Sequence, residues 1–213
     1  MDRSRVAVVI PAFNEAATIS AVVKAARQYG QPIVVNDCST DGTAHAAETA
    51  GAIVVNHDVN QGYDGALNSG FMEAANQKFD FVITLDADGQ HDPTLLLGFI
   101  NRLMNGASLV LGVRSSKARF AEHIFALYTR LRYGVLDPLC GMKGYRMELY
   151  ESVGHFDSYK SIGTELMLRA VSSGVGFEQV HFEVRERVDE PRFGRLISAN
   201  LKIFRAFIYW LFK

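Results

Sequence analysis

The sequence has only two cysteines, Cys38 and Cys140, in 213 residues. That is too few for a disulfide framework, and no Cys or His falls at the paired spacing of a zinc site, so a reducing, cytoplasmic setting is expected. Neither sign of charge is in excess: 22 Lys and Arg against 23 Asp and Glu give a net charge of -1, which excludes a surface built throughout to neutralise nucleic acid. Any basic surface must be local. No run approaches the roughly 20 apolar residues of a spanning helix, because Lys202 and Arg205 interrupt the most hydrophobic stretch. Met1-Asp2-Arg3-Ser4-Arg5 leads directly into a short apolar run, without the core or cleavage site of a secretory signal, so export is not expected.

What is present is 48% hydrophobic residues, enough to bury one sizeable core, and the chain reads as one domain over 1–213. Val6 to Ile10 is a continuous apolar run stopping at Pro11, as in a parallel strand buried on both faces. Ala16 to Tyr29 then spaces Ile19, Val22, Val23 and Ala26 at helical intervals before Gly30. The unit repeats. Strands are expected at Ile33–Val35, Ala52–Val55, Phe81–Leu85 and Ser108–Leu111, and helices at Thr43–Thr49, Asp64–Gln77 and Pro93 to about Asn105. This alternation predicts an α/β, doubly wound, mostly parallel Rossmann-like sheet, which binds ligands at the carboxyl ends of its strands. After residue 112 the pattern becomes α+β: a basic, aromatic helical stretch through Tyr133, then a loop and short strands around Leu139–Tyr145. A helix at Thr164–Ser173, a strand at Phe177–Val184 and a helix at Arg195–Lys213 complete it. The expected division is 1–112, 113–194 and 195–213.

The turns after the strands carry the chemistry. The first, Pro11-Ala12-Phe13-Asn14-Glu15, has no glycine, which disfavours a dinucleotide-binding loop. Asn14 and Glu15 also suit a helix cap and a first-turn acid. The second, Asn36 to Thr43, offers small polar groups and carboxylates to a base and ribose, or caps the next helix through Thr40 or Asp41. The fourth strand is followed by Asp86-Ala87-Asp88-Gly89-Gln90-His91-Asp92-Pro93. Two carboxylates one residue apart on a turn can converge on one hard cation, Mg²⁺ or Mn²⁺, whose remaining positions diphosphate oxygens and water would fill, although a lone Asp-x-Asp is also common in ordinary turns. His91 reads as an added ligand or as a helix-start residue.

The segments VVIPAFNE (8–15), VVNDCSTDGT (34–43), NQGYDGALNSG (60–70), DADGQHDP (86–93) and DPLCGMKGYR (137–146) resemble family 2 glycosyltransferases in content and order. The resemblance covers about residues 6–194 and is nearest the dolichol- and polyprenol-phosphate sugar synthases, because Gly112-Val113-Arg114 and a basic helix follow in sequence. It implies a GT-A fold and an inverting reaction on a GDP- or UDP-linked sugar. It also implies that Pro11, Asn14 and Glu15 border the nucleotide and that Asp37 contacts base or ribose. Asp86, Ala87, Asp88 and Gln90 would line the diphosphate, with Asp86 and Asp88 on the metal. Asn36 and Cys38 depart from the family's usual Asp and Gly, and Val113 replaces a common Ser, so base preference does not transfer.

Members with hydroxyl acceptors usually carry a Glu-Asp pair before a helix in the second half, where this chain has Gly163-Thr164-Glu165-Leu166. A hydroxyl needs a base to remove its proton. A phosphate acceptor, with a second pKa of about 6, does not. The missing pair favours a lipid phosphate, with Glu165 left either as a base or as an ordinary helix residue. Asp88, Arg114 and Glu165 are the candidate catalytic residues. Arg114, Lys117, Arg119, Arg130 and Arg132 cluster with only Glu122 opposing them, either as phosphate ligands or as a solvated basic face. Arg187, Arg192 and Phe193 partly match the family's late basic loop. Arg114, Arg130, Arg132, Arg187 and Arg192 are the acceptor-binding candidates. The last helix spaces Ile197, Leu201, Phe204, Ile208 and Leu211 for a membrane interface, with a core-packing or homodimer helix as the alternative. The expected location is the inner face of the cell membrane.

Overall fold

The computed structural model describes residues 5–115, 119–184 and 196–211. In chain order the elements are β1 (Val6–Ala12), α1 (Ile19–Ala26), β2 (Gln31–Asn36), α2 (Thr43–Thr49), β3 (Ile53–Asn56), α3 (Gly62–Asn76), β4 (Phe81–Thr84) and α4 (Leu95–Met104). There follow β5 (Leu109–Arg114), α5 (Phe120–Tyr133), β6 (Lys143–Arg146), α6 (Met147–Val153), α7 (Glu165–Ser172), β7 (Phe177–Phe182) and α8 (Leu196–Leu211). The seven strands form one sheet in the order β3-β2-β1-β4-β6-β5-β7. Every pairing is parallel except those of β6, which runs antiparallel between β4 and β5. Strands from beyond residue 112 therefore continue the sheet begun by the first half, which sequence spacing did not show.

The continuous apolar run of β1 follows from burial on both faces. Val6, Val8, Ile10 and Ala12 join the core under α1 and α4, while Ala7 and Val9 join the one under α3 and α7. Against α3 the approach is close: a Cβ on Gly70 would overlap Val9 Cγ1, so only glycine lets the helix seat there. β1 does not stop at Pro11 but runs to Ala12, since Pro11 pairs with Val35 of β2 where pairing with β4 has already ended at Val9↔Thr84. A missing N–H is tolerated where a strand has one neighbour only.

The divergence of β1 and β4 positions the site. Strand order reverses between them, β2 and β3 lying on one side and the rest on the other, which opens a crevice at their carboxyl ends. The turns containing Asn14–Glu15 and Asp86–Asp88 both empty into it. β5 is parallel to β1 and β4, so Arg114 at its end lies along the same edge.

Candidate active site

The loops after β1 and β2 are tied to each other before they meet any ligand. Asn14 takes a left-handed backbone (φ 54°), and its Oδ1 accepts the Thr40 N–H at 2.8 Å. The Asn14 N–H donates to Ser39 Oγ (2.9 Å) and the Glu15 N–H to Thr43 Oγ1 (2.8 Å). Asp41 accepts N–H groups from Thr43 (3.0 Å) and Ala16 (3.2 Å), which is the capping use of that residue. This lacing delays α1 to Ile19, three residues beyond the expected start.

Asp37, expected at the base or ribose, is engaged within the fold. Its buried carboxylate accepts the Gln61 N–H (2.7 Å) and the Gly62 N–H (2.8 Å), so it caps α3, and His57 Nδ1 lies 2.7 Å from Oδ1. His57 Nε2 meets Ser69 Oγ at 2.8 Å. Ser, His and Asp stand in relay order, but Ser69 lies in the middle of α3 and not on an exposed strand-to-helix turn. The relay orients Asp37, and Asp37 shapes the crevice by fixing α3 rather than by offering a free carboxylate.

After β4, Ala87 is buried and anchors the turn, while Asp86, Asp88 and Gln90 are half-buried. Asp88 Oδ1 accepts the Gln90 N–H (3.0 Å) across Gly89, whose φ of 74° needs a glycine. The Tyr63 hydroxyl donates to Asp86 Oδ1 at 3.3 Å. Burial, and then the Asp86 charge, hold the Tyr63 pKa well above the ordinary phenol value, so it remains a donor. His91 is buried with neither ring nitrogen hydrogen-bonded among the described residues, at a cost of roughly 1–3 kcal/mol. Its Nδ1 stands 3.8 Å from Asp86 Oδ2. Among the described residues no three acidic, His or Cys side chains gather to hold a metal alone. Two hard carboxylates at a crevice mouth, beside an orphaned buried imidazole, nonetheless fit an Mg²⁺ or Mn²⁺ that completes its shell with diphosphate and water.

Arg114, the two arginines late in α5 and Glu165 have the following surroundings in the fold. Arg114 is not free for a phosphate: its Nε and Nη2 grip buried Asp137 bidentately at 2.8 and 2.9 Å, and Nη2 also meets Glu122 Oε2 at 3.0 Å. Burial opposes its charge, but the hydrogen bond and charge of Asp137 outweigh that and raise its pKa. Glu122 is shared with Arg119 at 2.9 Å. Arg130 and Arg132 do not join this group. They are exposed in the last turn of α5, about 12 and 15 Å along the axis from Glu122, at the opposite edge of the sheet.

Glu165, the candidate base, is engaged by donors within the fold. It is fully buried and accepts Ser158 N–H (2.6 Å), Ser158 Oγ (2.8 Å) and Arg169 Nε (2.8 Å), with His155 Nε2 at 3.3 Å. Burial favours the neutral acid, yet these donors pull its pKa down to about 2. Lys117, Arg187, Arg192 and Phe193 lie outside the described residues.

Sequence reasoning missed three residues within quoted motifs. Asp64 accepts the Ile162 N–H (3.2 Å) and Gly163 N–H (2.5 Å), and burial together with Asp157 raises its pKa to about 6. Buried Lys143 bridges Cys140 O (2.7 Å) and Gly163 O (3.1 Å), tying the loop before β6 to the loop before α7. Gly141 packs directly on the Asp86 carboxylate, where a Cβ would overlap it. Their signal was the company they keep, a Tyr-Asp pair and a Gly-x-Lys inside motifs already singled out.

A doubly wound sheet with an Asp-x-Asp turn at its switch point is the arrangement expected of a GT-A glycosyltransferase. Residues 7–154 match the family described as glycosyl transferase family 2, and the chain belongs to it. It is 32% identical over 179 residues to an uncharacterized glycosyltransferase of Mycobacterium tuberculosis, covering 79% of this chain and 80% of that one. It is 26% identical over 179 residues to the undecaprenyl-phosphate mannosyltransferase of Micrococcus luteus, covering 75% and 73%. Among solved structures it resembles glucosyl-3-phosphoglycerate synthase from M. tuberculosis in complex with Mn²⁺, uridine diphosphate and glucosyl-3-phosphoglycerate. The TM-score is 0.79 at 25% identity, covering 98% of this chain and 80% of that one.

Proposed function

We propose that the chain moves a sugar, with inversion, from a GDP- or UDP-linked donor to a polyprenyl phosphate at the inner face of the cell membrane. The observation that carries the acceptor is Glu165. Where a hydroxyl-activating carboxylate is expected, this chain has an acid buried under four hydrogen-bonding groups with a pKa of about 2, far below the range useful to a general base. A phosphate acceptor needs none. The undecaprenyl-phosphate mannosyltransferase relative supports the same reading.

Residues 1–112 would bind the donor, residues 113–194 the acceptor and residues 195–213 the membrane, within one domain. Pro11, Asn14 and Glu15 border the nucleotide, and Asp86 and Asp88, with Ala87 and Gln90 framing them, hold a divalent cation. When bound, the cation supplies charge neutralisation for the departing diphosphate. Arg114 acts as a positioning residue that locks Asp137 and Glu122 beside the crevice. Among the described residues Arg114 is engaged and Arg130 and Arg132 lie late in α5, and Arg187 and Arg192 are the candidates proposed for the acceptor phosphate.

The membrane part rests on two helices. α8 buries Ile203, Ala206 and Trp210, so it packs on the core, yet it exposes Leu201, Ile208, Tyr209 and Leu211. Adjacent α5 exposes Phe120, Leu127 and Leu131. Lys202, Arg205, Arg130 and Arg132 are exposed around them, while the acid of α5, Glu122, is buried. An apolar stripe with a basic rim suits an anionic lipid surface. Among the described residues no helix is long and apolar enough to cross a membrane.

A second reading, transfer to a sugar hydroxyl, draws on Asp64, whose pKa of about 6 is suited to a base. Incubation of the protein with Mn²⁺, a panel of labelled GDP- and UDP-sugars and either undecaprenyl phosphate or saccharide acceptors separates the two. Label in the lipid fraction supports the proposal. Label in saccharide alone refutes it in favour of the second.

A further inference from the structure

Each carboxylate oxygen of Asp86 is faced by its own side-chain donor. The Tyr63 hydroxyl, from the first turn of α3, donates to Oδ1 at 3.3 Å. His91, just before α4, stands with Nδ1 3.8 Å from Oδ2, beyond hydrogen-bond length. The third side is backbone, because Gly141 leaves no room for a side chain between the loop before β6 and the carboxylate. The His91 side chain is 5% exposed, its ring edge-on to Phe182 at 5.5 Å between centroids. A buried imidazole with both nitrogens unpaired among the described residues has no structural reason to be polar, since an apolar side chain would fill the place without the desolvation cost.

We propose that Tyr63 and His91 are the positioning residues of Asp86, one donor per oxygen, holding its carboxylate in the orientation that receives the divalent cation. The proposal rests on the metal reading of the Asp86–Asp88 turn. Hydrogen bonds behind a ligating carboxylate fix its rotamer and leave its outward lone pairs to the ion, and their loss weakens metal binding by about 10–100-fold. Tyr63 enters a contact already formed, whereas His91 tightens onto Oδ2 as the carboxylate takes its place.

The test is Mn²⁺ affinity, read from the free-ion electron paramagnetic resonance signal in the presence of UDP or GDP, for the native chain and for Tyr63→Phe, His91→Leu and His91→Asn. Tyr63→Phe and His91→Leu should each bind Mn²⁺ about tenfold more weakly. His91→Asn, whose amide nitrogen replaces Nδ1, should stay within about threefold of native. Thermal melting of His91→Leu without metal should be unchanged or raised, because an apolar residue replaces an unpaired polar one. Lower stability of His91→Leu with native Mn²⁺ affinity would make His91 structural and overturn the proposal. So would an imidazole nitrogen coupling in the native Mn²⁺ spectrum that His91→Leu abolishes, since His91 would then be a ligand itself. Native protein that binds no Mn²⁺ with either nucleotide brings down the metal reading, and the clamp with it.

Discussion

Replacing Glu165 by Gln separates a buried structural acid from a catalytic base. In the folded chain the carboxylate is held at a pKa of about 2 against an ordinary 4.5. That depression corresponds to about 3 kcal/mol of folding stability. The folded-state pKa is lowered, so this stability is present above pH 4.5 and is lost as pH falls from there towards 2. Gln keeps an acceptor for the Ser158 N–H but turns an amide NH₂ towards the half-buried Arg169, which loses its charged partner. Glu165→Gln should therefore lower the melting temperature at pH 7 by about 6–12 °C for a domain of this size. The difference from the native protein should shrink as pH is lowered below 4.5. Turnover per folded molecule, measured at a temperature where both proteins are folded, should stay within about threefold of native, since a lost base would remove about 10²–10⁴. A hundredfold fall in kcat with an unchanged melting curve would refute the reasoning and restore Glu165 as the base.

Asp88→Ala should abolish transfer while leaving melting within about 1 °C, and unchanged turnover in a Mn²⁺-replete assay would count decisively against the metal site. Asp64 has its folded pKa raised to about 6 from 3.8, so the stability linked to it is full below pH 3.8 and is lost as pH rises through 6. Asp64→Asn removes that charge but turns an amide NH₂ onto one of the two backbone N–H groups its oxygens accept, so stability in urea at pH 8 should stay within about 1 kcal/mol of native while lipid-phosphate transfer is kept. Loss of transfer without loss of donor binding would instead point to a base. Leu201 and Ile208 are exposed on α8, so Leu201→Glu with Ile208→Glu should preserve folding and weaken sedimentation with anionic liposomes by about tenfold. Unchanged sedimentation would remove the membrane argument.

The donor half was legible because parallel strands buried on both faces leave uninterrupted apolar runs, and the polar residues that follow them must lie at the sheet edge. Val6–Ile10 and Phe81–Leu85 announce themselves in this way, and Asp86 and Asp88 inherit their location. Boundaries drifted where side chains compete with the helix, as at Asn14, whose left-handed backbone and contact with Thr40 postpone α1. β6 was harder. Four residues, Lys143–Arg146, carry too little periodicity to reveal that they enter the sheet antiparallel between β4 and β5.

The cations were the least legible part, for an electrostatic reason. An acid at a strand end is placed by the strand, but the role of an arginine depends on which carboxylate the fold carries to it. Arg114 looked unopposed except by Glu122, yet Asp137, 23 residues on, returns beside it once α5 has run to the far edge and the chain has come back. The same excursion carries Arg130 and Arg132 away from the crevice. The mechanism then divides unevenly. On the proposed donor side, Asp86 and Asp88 would manage charge at the turn after β4. On the acceptor side, a phosphate entering without a base still requires counter-charge, and the arginines nearest in sequence are engaged or distant. Under the proposed lipid-phosphate reading, Arg187 and Arg192 are the acceptor-binding candidates to test. Double replacement of these two should therefore raise KM for the lipid phosphate with donor affinity unchanged, and a loss confined to the donor would transfer them to the nucleotide side.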